Sequence, residues 1–240
     1  MAGIVSALVS GGKDSIYSAY LFDCQGGTVD ELVVLTPENP DSWMFHTPNL
    51  DLVRLQAEAW GKSYRALRVS GTGEADEVRA LGAALSGSPG WVVAGAIASS
   101  YQWSRLHRAC YKAGRPLFTP LWGKTGKRVV EEELAAGLDI RLVHLAAEPL
   151  TPELLGQRLN ATLLEELDRR STRVRPLHLA GEGGEYESLV VDAPFFSKRL
   201  EIVTSESESR GYATRLNVRE ARLIDKKPIS PPAAEKNSKG

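Results

Sequence analysis

The sequence predicts a doubly wound α/β fold with a mostly parallel sheet, followed by a smaller C-terminal α+β lobe. Over the first 145 residues, short apolar runs alternate with helix-like segments, which is typical of parallel strands joined by crossover helices. From Thr151 the pattern changes to one longer helix and then several short strands. We therefore expect one domain over residues 1–148, a lobe over 149–225 and a disordered tail over 226–240.

Each predicted strand is a short aliphatic run, and each predicted helix fills the interval to the next strand. Strands of the main sheet are predicted at Ile4–Val9, Glu31–Leu35, Tyr64–Val69, Trp91–Ala94 and Ile140–Leu145. Helices are predicted at Ser15–Asp23, Asn49–Trp60, Glu74–Ser86, Tyr101–Ala113 and Val129–Ala136. The lobe is predicted to hold a helix over Thr151–Asp168, strands at Leu189–Val191, Leu200–Val203 and Arg215–Val218, and a polar turn over Ser205–Gly211. Because ligands of such sheets bind beyond the carboxyl ends of the strands, the loops after Val9, Leu35 and Ala94 are expected to meet at one site.

Composition limits the classes of function. A net charge of −1 gives no overall electrostatic attraction for nucleic acid, so no direct nucleic-acid partner is expected. No apolar run approaches the roughly 18 residues of a membrane span, and the first residues lack the basic start of a signal peptide. We expect a cytoplasmic protein without a membrane partner, in which Cys24 and Cys110 are reduced, buried thiols.

A glycine-rich segment, Ser10–Ser15, lies between the first predicted strand and the first helix. Its glycines let backbone N–H groups approach an anion, the start of the helix adds a partial positive charge, and Lys13 adds a full one. The spacing is not that of a Walker A loop. It resembles the PP-loop of ATP pyrophosphatases, SGGxDS, which implies cleavage of ATP between its α- and β-phosphates. The plainer alternative is a glycine turn followed by a helix cap.

The loop residues receive separate roles in this interpretation. Lys13 is expected to neutralise the charge that builds as pyrophosphate leaves. Asp14 is expected either to cap the helix or to help place Mg²⁺. The β- and γ-phosphates are assigned to backbone and hydroxyl donors of Ser10, Gly11, Gly12 and Ser15.

Four more segments accompany this loop: Met44–Asn49, Gly95–Gln102, Pro120–Gly123 and Gly181–Glu187. With the glycine loop they resemble the diphthine–ammonia ligase family of PP-loop ATP pyrophosphatases, whose fold is of the HUP type. The resemblance extends over about Ile4–Glu220. It implies ATP-driven amidation, by ammonium, of the diphthine carboxylate on elongation factor 2. The factor is then the protein substrate, and ATP and Mg²⁺ are the cofactors.

The Met44–Asn49 and Gly95–Gln102 segments supply candidate nucleotide and substrate contacts. His46 is assigned to the substrate or the nucleotide phosphate, the alternative being a merely exposed loop histidine, while Asn49 is expected to cap the next helix. Gly95 ends a strand where a side chain would obstruct a nucleotide, and Arg105 is expected to offset charge on the α-phosphate. Two positions depart from the family pattern, Ser100 and His107. Substrate contacts are further assigned to Ser99, Tyr101 and Gln102.

The acidic glycine motif is the second strong chemical signal. Three carboxylates, those of Glu182, Glu185 and Glu187, are expected to crowd into a small volume and are assigned catalytic roles with Lys13. Such crowding requires Mg²⁺, ammonium or a cationic substrate. A solvated acidic turn is the alternative. Deprotonation of ammonium is assigned to Glu185 or Glu187.

Three tryptophans need an interpretation because their rings resemble stacking groups. Trp91 lies in a predicted strand and is expected in the core. Trp103 and Trp122 lie near the predicted site loops, and contact of either ring with the quaternary ammonium of diphthine is a hypothesis.

The expected mechanism passes through an acyl-adenylate, which ammonia then attacks. The chain opens with Met-Ala and has no recognisable glutaminase motif, so free ammonium is the expected nitrogen donor. A tRNA-modifying PP-loop enzyme and a non-catalytic ATP or AMP sensor are the rival interpretations. A homo-oligomer is also possible on the sequence.

Overall fold

A parallel sheet organises the first part of the chain. The computed structural model describes residues 3–37, 49–69, 74–87, 89–148, 150–171 and 176–226. Within these residues the parallel strands are β1 (Ser6–Leu8), β2 (Glu31–Pro37), β3 (Ser63–Val69), β4 (Val92–Ala94) and β5 (Leu117–Phe118). They are hydrogen-bonded in the order β3-β2-β1-β4-β5. The doubly wound α/β class predicted from the sequence is confirmed.

Helices cover both faces of this sheet. They are α1 (Lys13–Cys24), α2 (Val53–Trp60), α3 (Glu74–Leu85), α4 (Ser100–Ala113) and α5 (Gly126–Ala135). Because successive strand residues face opposite sides, Ala7 packs in the core that includes α1, α2 and α5, while Leu8 packs in the core with α3 and α4. None of the helices in the described ranges has the length and apolar character needed to cross a membrane.

The winding direction of the sheet changes at β1. The strand order puts β2 on one side of β1 and β4 on the other, with Leu8 in register with Ala94. At such a switch point the loops that leave two adjacent strands diverge to opposite faces, and a crevice opens between them. The loops after Val9 and Ala94 meet as expected, since Ser10 and Gly95 line one cavity. The third loop of that expectation, after Leu35, lies largely outside the described residues.

A second, antiparallel sheet forms the C-terminal part. Its strands are β6 (Asp139–Leu145), β7 (Arg158–Leu159), β8 (Tyr186–Asp192), β9 (Lys198–Arg210) and β10 (Ala213–Asp225), and helix α6 (Ala161–Arg170) lies between β7 and β8. The order is β7-β6-β10-β9, with β8 also paired to β6. Strands β9 and β10 make a long two-stranded ribbon.

One strand belongs to a different sheet from the one expected. Ile140–Leu145 was expected to extend the parallel sheet, but β6 pairs antiparallel with β7, β8 and β10. The outer parallel strand is instead β5, whose two residues are too few to produce a periodic pattern. An aliphatic run predicts a strand but does not say which sheet the strand joins. The domain limits at residues 148 and 225 stay predictions, and the tail beyond Lys226 lies outside the described residues.

Two local expectations in the lobe are wrong. The helix expected over Thr151–Asp168 begins only at Ala161, after a 3₁₀ turn at Pro152–Leu154 and strand β7. Asn160 caps this helix, because its side chain accepts a hydrogen bond from the Leu163 N–H. The polar turn expected over Ser205–Gly211 is a strand as far as Arg210. These residues are polar because the ribbon is exposed there, so a polar run alone does not distinguish an exposed strand from a turn.

Two burial expectations are also wrong. Trp91 is 43% exposed and precedes β4 rather than lying in the core, with its ring centroid 6.2 Å from that of Phe22. Cys24 is exposed, although Cys110 is buried as expected. Both thiols are free, and burial raises the pKa of Cys110 to about 11, so this thiol is a packing group.

A buried polar network connects the parallel strands at their amino ends. Glu31 on β2 accepts hydrogen bonds from Ser6 Oγ at 2.6 Å and from Arg65 Nε at 2.9 Å. Arg115 donates to Ser6 Oγ and to the carbonyl oxygens of Ile4 and Trp91. Burial alone would raise the pKa of Glu31, but the Arg65 and Ser6 donors outweigh it and hold the pKa below its ordinary value of 4.5.

We expect Glu31→Gln to lower the free energy of unfolding by about 2 kcal/mol at pH 7, since three hydrogen bonds, one from Ser6 and two from Arg65, lose their anion. A carboxyl whose pKa is depressed on folding contributes stability above its unfolded pKa and loses that contribution as pH falls through the folded pKa. The difference between wild type and variant should therefore shrink below about pH 4. Urea unfolding at several pH values measures it. Glu165→Gln, on the exposed face of α6, is the control, and a difference that persists at pH 2 would contradict the argument.

Candidate active site

A cavity of about 250 Å³ lies beyond the carboxyl ends of β1 and β4. Residues from the glycine loop, from α4 and from the second sheet line it together. The side of the parallel sheet and its helices supplies Leu8, Val9, Ser10, Gly12, Lys13, Asp14, Ser15, Leu35, Leu50, Ala94, Gly95, Ala96, Gln102 and Leu106, and the side of the second sheet supplies Val143, Ala180, Gly181, Glu182, Gly184, Tyr186, Glu187 and Ser188. The cavity therefore lies where the two sheets face each other.

The glycine loop turns sharply into α1. Gly11 has a φ of +81°, which a side chain would strain, and Gly12 precedes the first helical residue. The Ser15 hydroxyl donates to the Gly12 carbonyl and accepts from the Ser10 N–H. No side chain caps α1, so the expectation that Asp14 is the cap is wrong. Apart from the Lys13 N–H, which donates to the Ser188 hydroxyl, the N–H groups of this first turn are the donors that an anion would meet.

Lys13 lies beneath the loop and is only 1% exposed. Its Nζ donates to both carboxylate oxygens of Asp14, at 2.7 and 2.8 Å, and to the Ala180 carbonyl at 2.7 Å. An ammonium has three donors, so all of them are engaged. The Nζ also lies 5.5 Å from the centre of the Tyr186 ring. Lys13 thus connects the loop both to its own helix and to the segment before β8.

Glu133 of α5 is fully buried, and one of its oxygens lies 3.9 Å from Lys13 Nζ. Burial raises the pKa of Glu133 well above its ordinary value, since the desolvation of its charged form outweighs the attraction of Lys13. Burial lowers the pKa of Lys13, but the hydrogen-bonded Asp14 carboxylate is the main cause that outweighs it, and the net pKa is raised. The ammonium is therefore charged, with Asp14 as its hydrogen-bonded anion.

The loop is held from behind by α2 and β8. The Gly11 carbonyl accepts hydrogen bonds from Gln56 Nε2 at 2.9 Å and from the Val190 N–H at 3.0 Å. The Lys13 N–H donates to the Ser188 hydroxyl at 3.2 Å. A loop that follows β1 in sequence is thus shaped by a strand some 175 residues later.

Gly95 allows the loop after β4 to lie against the start of α1. A Cβ at this position would come within 2.8 Å of the Asp14 carbonyl carbon and of the Ser15 nitrogen. The expectation that a side chain here would obstruct a nucleotide stays a prediction, because the atoms that the Cβ would meet in this structure belong to the backbone. Gly95 is therefore required by the close approach of two loops.

The carboxylates of the three glutamates in the acidic motif each have a different partner, and only two of them line the cavity. Glu182 Oε1 accepts from the Ile97 N–H at 2.9 Å, and Glu185 Oε1 accepts from the His178 N–H at 2.9 Å. Glu187 Oε1 lies 3.7 Å from His144 Nδ1 on the neighbouring strand β6. Glu182 and Glu187 line the cavity, whereas Glu185 is not part of its lining. Within the described residues, no three His, Cys, Asp or Glu side chains are grouped so as to hold a metal.

Helix α4 presents one of its predicted contacts to the cavity. Gln102 lines it, while Ser99 caps the helix by accepting from the Gln102 N–H at 3.3 Å. The Arg105 guanidinium lies over the Tyr101 ring, 3.0 Å from its centre, and donates to the Tyr101 carbonyl. Ser99, Tyr101 and Arg105 lie outside the cavity lining in this arrangement, and their ligand contacts stay predictions.

A stack of aromatic rings connects the same helix to the turn after β5. Trp103 packs between His107 and Trp122, with centroid distances of 5.0 and 5.3 Å. His107, one of the two positions that depart from the family pattern, is therefore a stacking partner here. Binding of a quaternary ammonium by Trp103 or Trp122 stays a hypothesis.

Asn49 has a different role from the one expected. It adopts a φ of +57° and makes no cap hydrogen bond to the helix. Its side chain instead donates to the Leu216 carbonyl and accepts from the Val218 N–H, which fastens the start of α2 to strand β10. His46 and the rest of its predicted motif lie outside the described residues.

The structure thus brings together most of the predicted nucleotide loop and two of the three glutamates. Predicted residues that line the cavity are Ser10, Gly12, Lys13, Asp14, Ser15, Gly95, Gln102, Glu182 and Glu187. Gly11 faces Gln56 instead. Sequence reasoning missed Gln56, Glu133 and Ser188, because a lone polar residue in a helix or strand gives no sign that it will be buried beside a loop distant in sequence.

Comparison with known proteins agrees with this geometry. Models of the diphthamide synthase N-terminal and C-terminal domains match residues 3–116 and 126–224. The diphthine–ammonia ligase of Rattus norvegicus is 30% identical over 226 residues, which cover 85% of this chain and 84% of that relative. The chain belongs to the diphthine–ammonia ligase family. The resemblance carried by the glycine loop and the acidic motif is confirmed.

Other relatives of this family extend the comparison. The diphthine–ammonia ligase of Homo sapiens is 30% identical, with 84% of each chain covered. That of Schizosaccharomyces pombe is 31% identical over 90% of this chain, which spans 39% of that relative's length. Among solved structures, a predicted subunit of tRNA methyltransferase from Methanocaldococcus jannaschii aligns with a TM-score of 0.43 and 14% identity, covering 79% of this chain and 97% of that one.

Proposed function

We propose that the protein joins ammonia to the carboxylate of diphthine on elongation factor 2, with cleavage of ATP to AMP and pyrophosphate. The observation that carries this proposal is the shared cavity, in which a glycine loop at a helix start faces two carboxylates of the second sheet. Phosphate is stabilised by N–H donors and positive charge, whereas ammonium or a cationic acceptor is stabilised by carboxylates, and this cavity has both kinds of group. The names of the relatives supply the identity of the acceptor.

The glycine loop binds the ATP phosphates in this proposal. The N–H groups at the start of α1 meet the β- and γ-phosphates, and the partial positive charge of the helix favours them there. Since all three Lys13 donors are engaged, a phosphate oxygen replaces an Asp14 oxygen at the ammonium. The apolar side chains of Leu35, Leu50 and Leu106 line the same cavity and suit the base.

The reaction then proceeds in two displacements. A carboxylate oxygen of the substrate attacks the α-phosphorus, and the bond to pyrophosphate breaks. Ammonia next attacks the acyl carbon, AMP leaves, and the nitrogen that entered as ammonium has lost two protons. Glu182 and Glu187 are the carboxylates that line the cavity and can attract ammonium and accept its protons.

The residues of the cavity are compatible with one Mg²⁺ that is held mainly by the phosphate oxygens of ATP. Asp14 lines the cavity with its side chain 27% exposed, and Mg²⁺ in nucleotide sites typically takes one or two carboxylates together with phosphate oxygens. Asp14 would be the protein's ligand. When bound, the ion would neutralise phosphate charge.

The wider setting follows from the acceptor. Elongation factor 2 acts in the cytoplasm, so we place the protein there, with the factor as its protein substrate. No nucleic acid enters the reaction as partner. Assembly into a homo-oligomer stays a prediction from the sequence.

We expect AMP and pyrophosphate to form from ATP and Mg²⁺ only when ammonium and diphthine-bearing elongation factor 2 are both present. Chromatography of the nucleotides follows ATP cleavage, and the mass of the factor falls by about one unit as a carboxyl oxygen is replaced by an amide nitrogen and hydrogen.

Glu182→Gln should lower the rate of amide formation by about tenfold or more, because it removes a carboxylate from the cavity.

The control for this change is Glu208→Gln, on the exposed ribbon. It makes the same substitution outside the cavity and should leave the rate as in wild type. Formation of ADP, or AMP formation that requires tRNA instead of the factor, would overturn the proposal. Nucleotide binding without any turnover would favour the sensor interpretation.

A further inference from the structure

Gln56 is the one fully buried glutamine among the described residues, and it lies on α2 directly behind the glycine loop. An amide in such a position must find hydrogen-bond partners, because an unpaired buried polar group costs about 1–3 kcal/mol. Its Nε2 has two partners, the Gly11 carbonyl at 2.9 Å and the Val190 carbonyl at 2.7 Å, whereas Oε1 accepts no hydrogen bond from the described residues. One amide nitrogen thus joins helix α2, the loop and strand β8.

The Gly11 carbonyl is held twice at this junction. It accepts from Gln56 and also from the Val190 N–H at 3.0 Å. The peptide that follows it is planar and trans, so its C=O and N–H groups point in opposite directions. Fixing the Gly11 carbonyl towards α2 and β8 therefore directs the Gly12 N–H away from them, and Gly12 lines the cavity.

A glycine at position 11 makes this anchoring necessary. Its φ of +81° is open to glycine, but glycine also has the largest freedom to leave that conformation. A Cβ at position 11 would lie 3.1 Å from Gln56 Oε1, so the amide also packs closely against the loop. Without Gln56 the peptide after Gly11 would lose one of its two anchors and could rotate.

We propose that Gln56 is a positioning residue for the pyrophosphate half of ATP, which it serves by fixing the peptide between Gly11 and Gly12 against β8. It touches no substrate. The inference rests on the proposed use of ATP and adds a residue that neither the motifs nor the family resemblance assigned. It also makes phosphate binding depend on the second sheet, because two of the three hydrogen bonds at the junction involve Val190, whose N–H donates to the Gly11 carbonyl and whose carbonyl accepts from Gln56 Nε2.

The test compares a ligand that needs the loop with one that does not. Pyrophosphate with Mg²⁺ and adenosine alone are titrated calorimetrically into wild type and into Gln56→Met, which keeps the length of the side chain and removes its donor. We expect pyrophosphate affinity to fall about tenfold, equivalent to about 1.4 kcal/mol, and adenosine affinity to stay within about twofold. A residue with only a structural role would alter stability and leave this ratio unchanged.

Gln157→Met is the matched control. Gln157 Nε2 also donates to a backbone carbonyl, that of Glu153, but on the surface of the lobe. The pyrophosphate affinity of the Gln157→Met variant should equal that of wild type. If Gln56→Met does not fold, Ser188→Ala removes the acceptor of the Lys13 N–H on the same strand and should show the same selectivity at about threefold.

Each remaining outcome is decisive. Equal pyrophosphate affinity in wild type and Gln56→Met, or an equal fall for pyrophosphate and adenosine, overturns the inference and leaves the proposed function standing. Failure of wild type itself to bind either ligand overturns the proposed use of ATP, and the inference with it.

Discussion

Replacing Lys13 by methionine is expected to lower the rate of AMP formation by a factor of about 10² or more, since a charge that stabilises the departing pyrophosphate is removed. The same change should lower the free energy of unfolding by about 2 kcal/mol, because the partly buried Asp14 carboxylate loses its counter-charge and the buried Ala180 carbonyl loses its donor. Pyrophosphate release and urea unfolding measure the two effects separately.

The size of this effect follows from where the ammonium lies. Lys13 is 1% exposed, and its three donors serve Asp14 twice and the Ala180 carbonyl once. Methionine fills most of the space but donates nothing. Asp14, whose side chain is 27% exposed towards the cavity, would then lose its counter-charge, and the buried Ala180 carbonyl would lose its hydrogen-bond donor.

Lys127→Met is the matched control, since Lys127 also pairs with a carboxylate, Asp168, but at the surface of α5. Solvent screens a pair at the surface, so both stability and activity should stay close to wild type. Equal losses of stability in the two lysine variants would contradict the assignment of Lys13 to a buried ion cluster. Full activity of Lys13→Met would contradict its role towards phosphate.

The second large effect is expected from Gly95→Ala. The new Cβ would lie 2.8 Å from backbone atoms of Asp14 and Ser15, closer than real Cβ atoms come to other heavy atoms. Neither backbone can yield as the end of a flexible side chain does, so the start of α1 or the loop after β4 must move. We expect a loss of about 3 kcal/mol in unfolding free energy and at least tenfold in AMP formation.

Gly82→Ala provides a control of opposite sign. Gly82 lies inside helix α3, where an added Cβ would come no closer than 3.5 Å to the Ala109 carbonyl. An alanine in a helix interior stabilises by about 0.5–1 kcal/mol relative to glycine, so this variant should unfold at slightly higher urea. If both variants were neutral, the close packing of the two loops would be refuted.

Much of the fold could be predicted because its patterns are local. The aliphatic runs of β1 to β4 and the helices between them are readable from periodicity, and a strand followed by glycines and a helix implies a phosphate site at its carboxyl end. The assignment of Ile140–Leu145 to the wrong sheet has a different cause. Strand pairing depends on long-range contacts, and the partners of β6 lie beyond residue 157.

The site was predictable in its residue types but less so in their orientations. The motif placed Lys13, Glu182 and Glu187 in one cavity correctly. It could not reveal that the Glu185 carboxylate accepts from the His178 N–H, or that Asp14 pairs with Lys13 instead of capping α1. These outcomes depend on which donors the folded chain brings near each carboxylate. The residues next to each carboxylate in the sequence do not indicate which donor it will bind in the folded protein.

The anchoring of the glycine loop has a consequence for how the protein is made. A ribosome releases residues 10–15 first, but the groups that hold Gly11 and Lys13 come from Ala180, Ser188 and Val190. Until those residues have emerged, the Gly11 carbonyl and the Lys13 ammonium have only water and α-helical neighbours to bind. The loop geometry that we propose to bind the nucleotide is thus completed late in synthesis, long after the loop itself has left the ribosome.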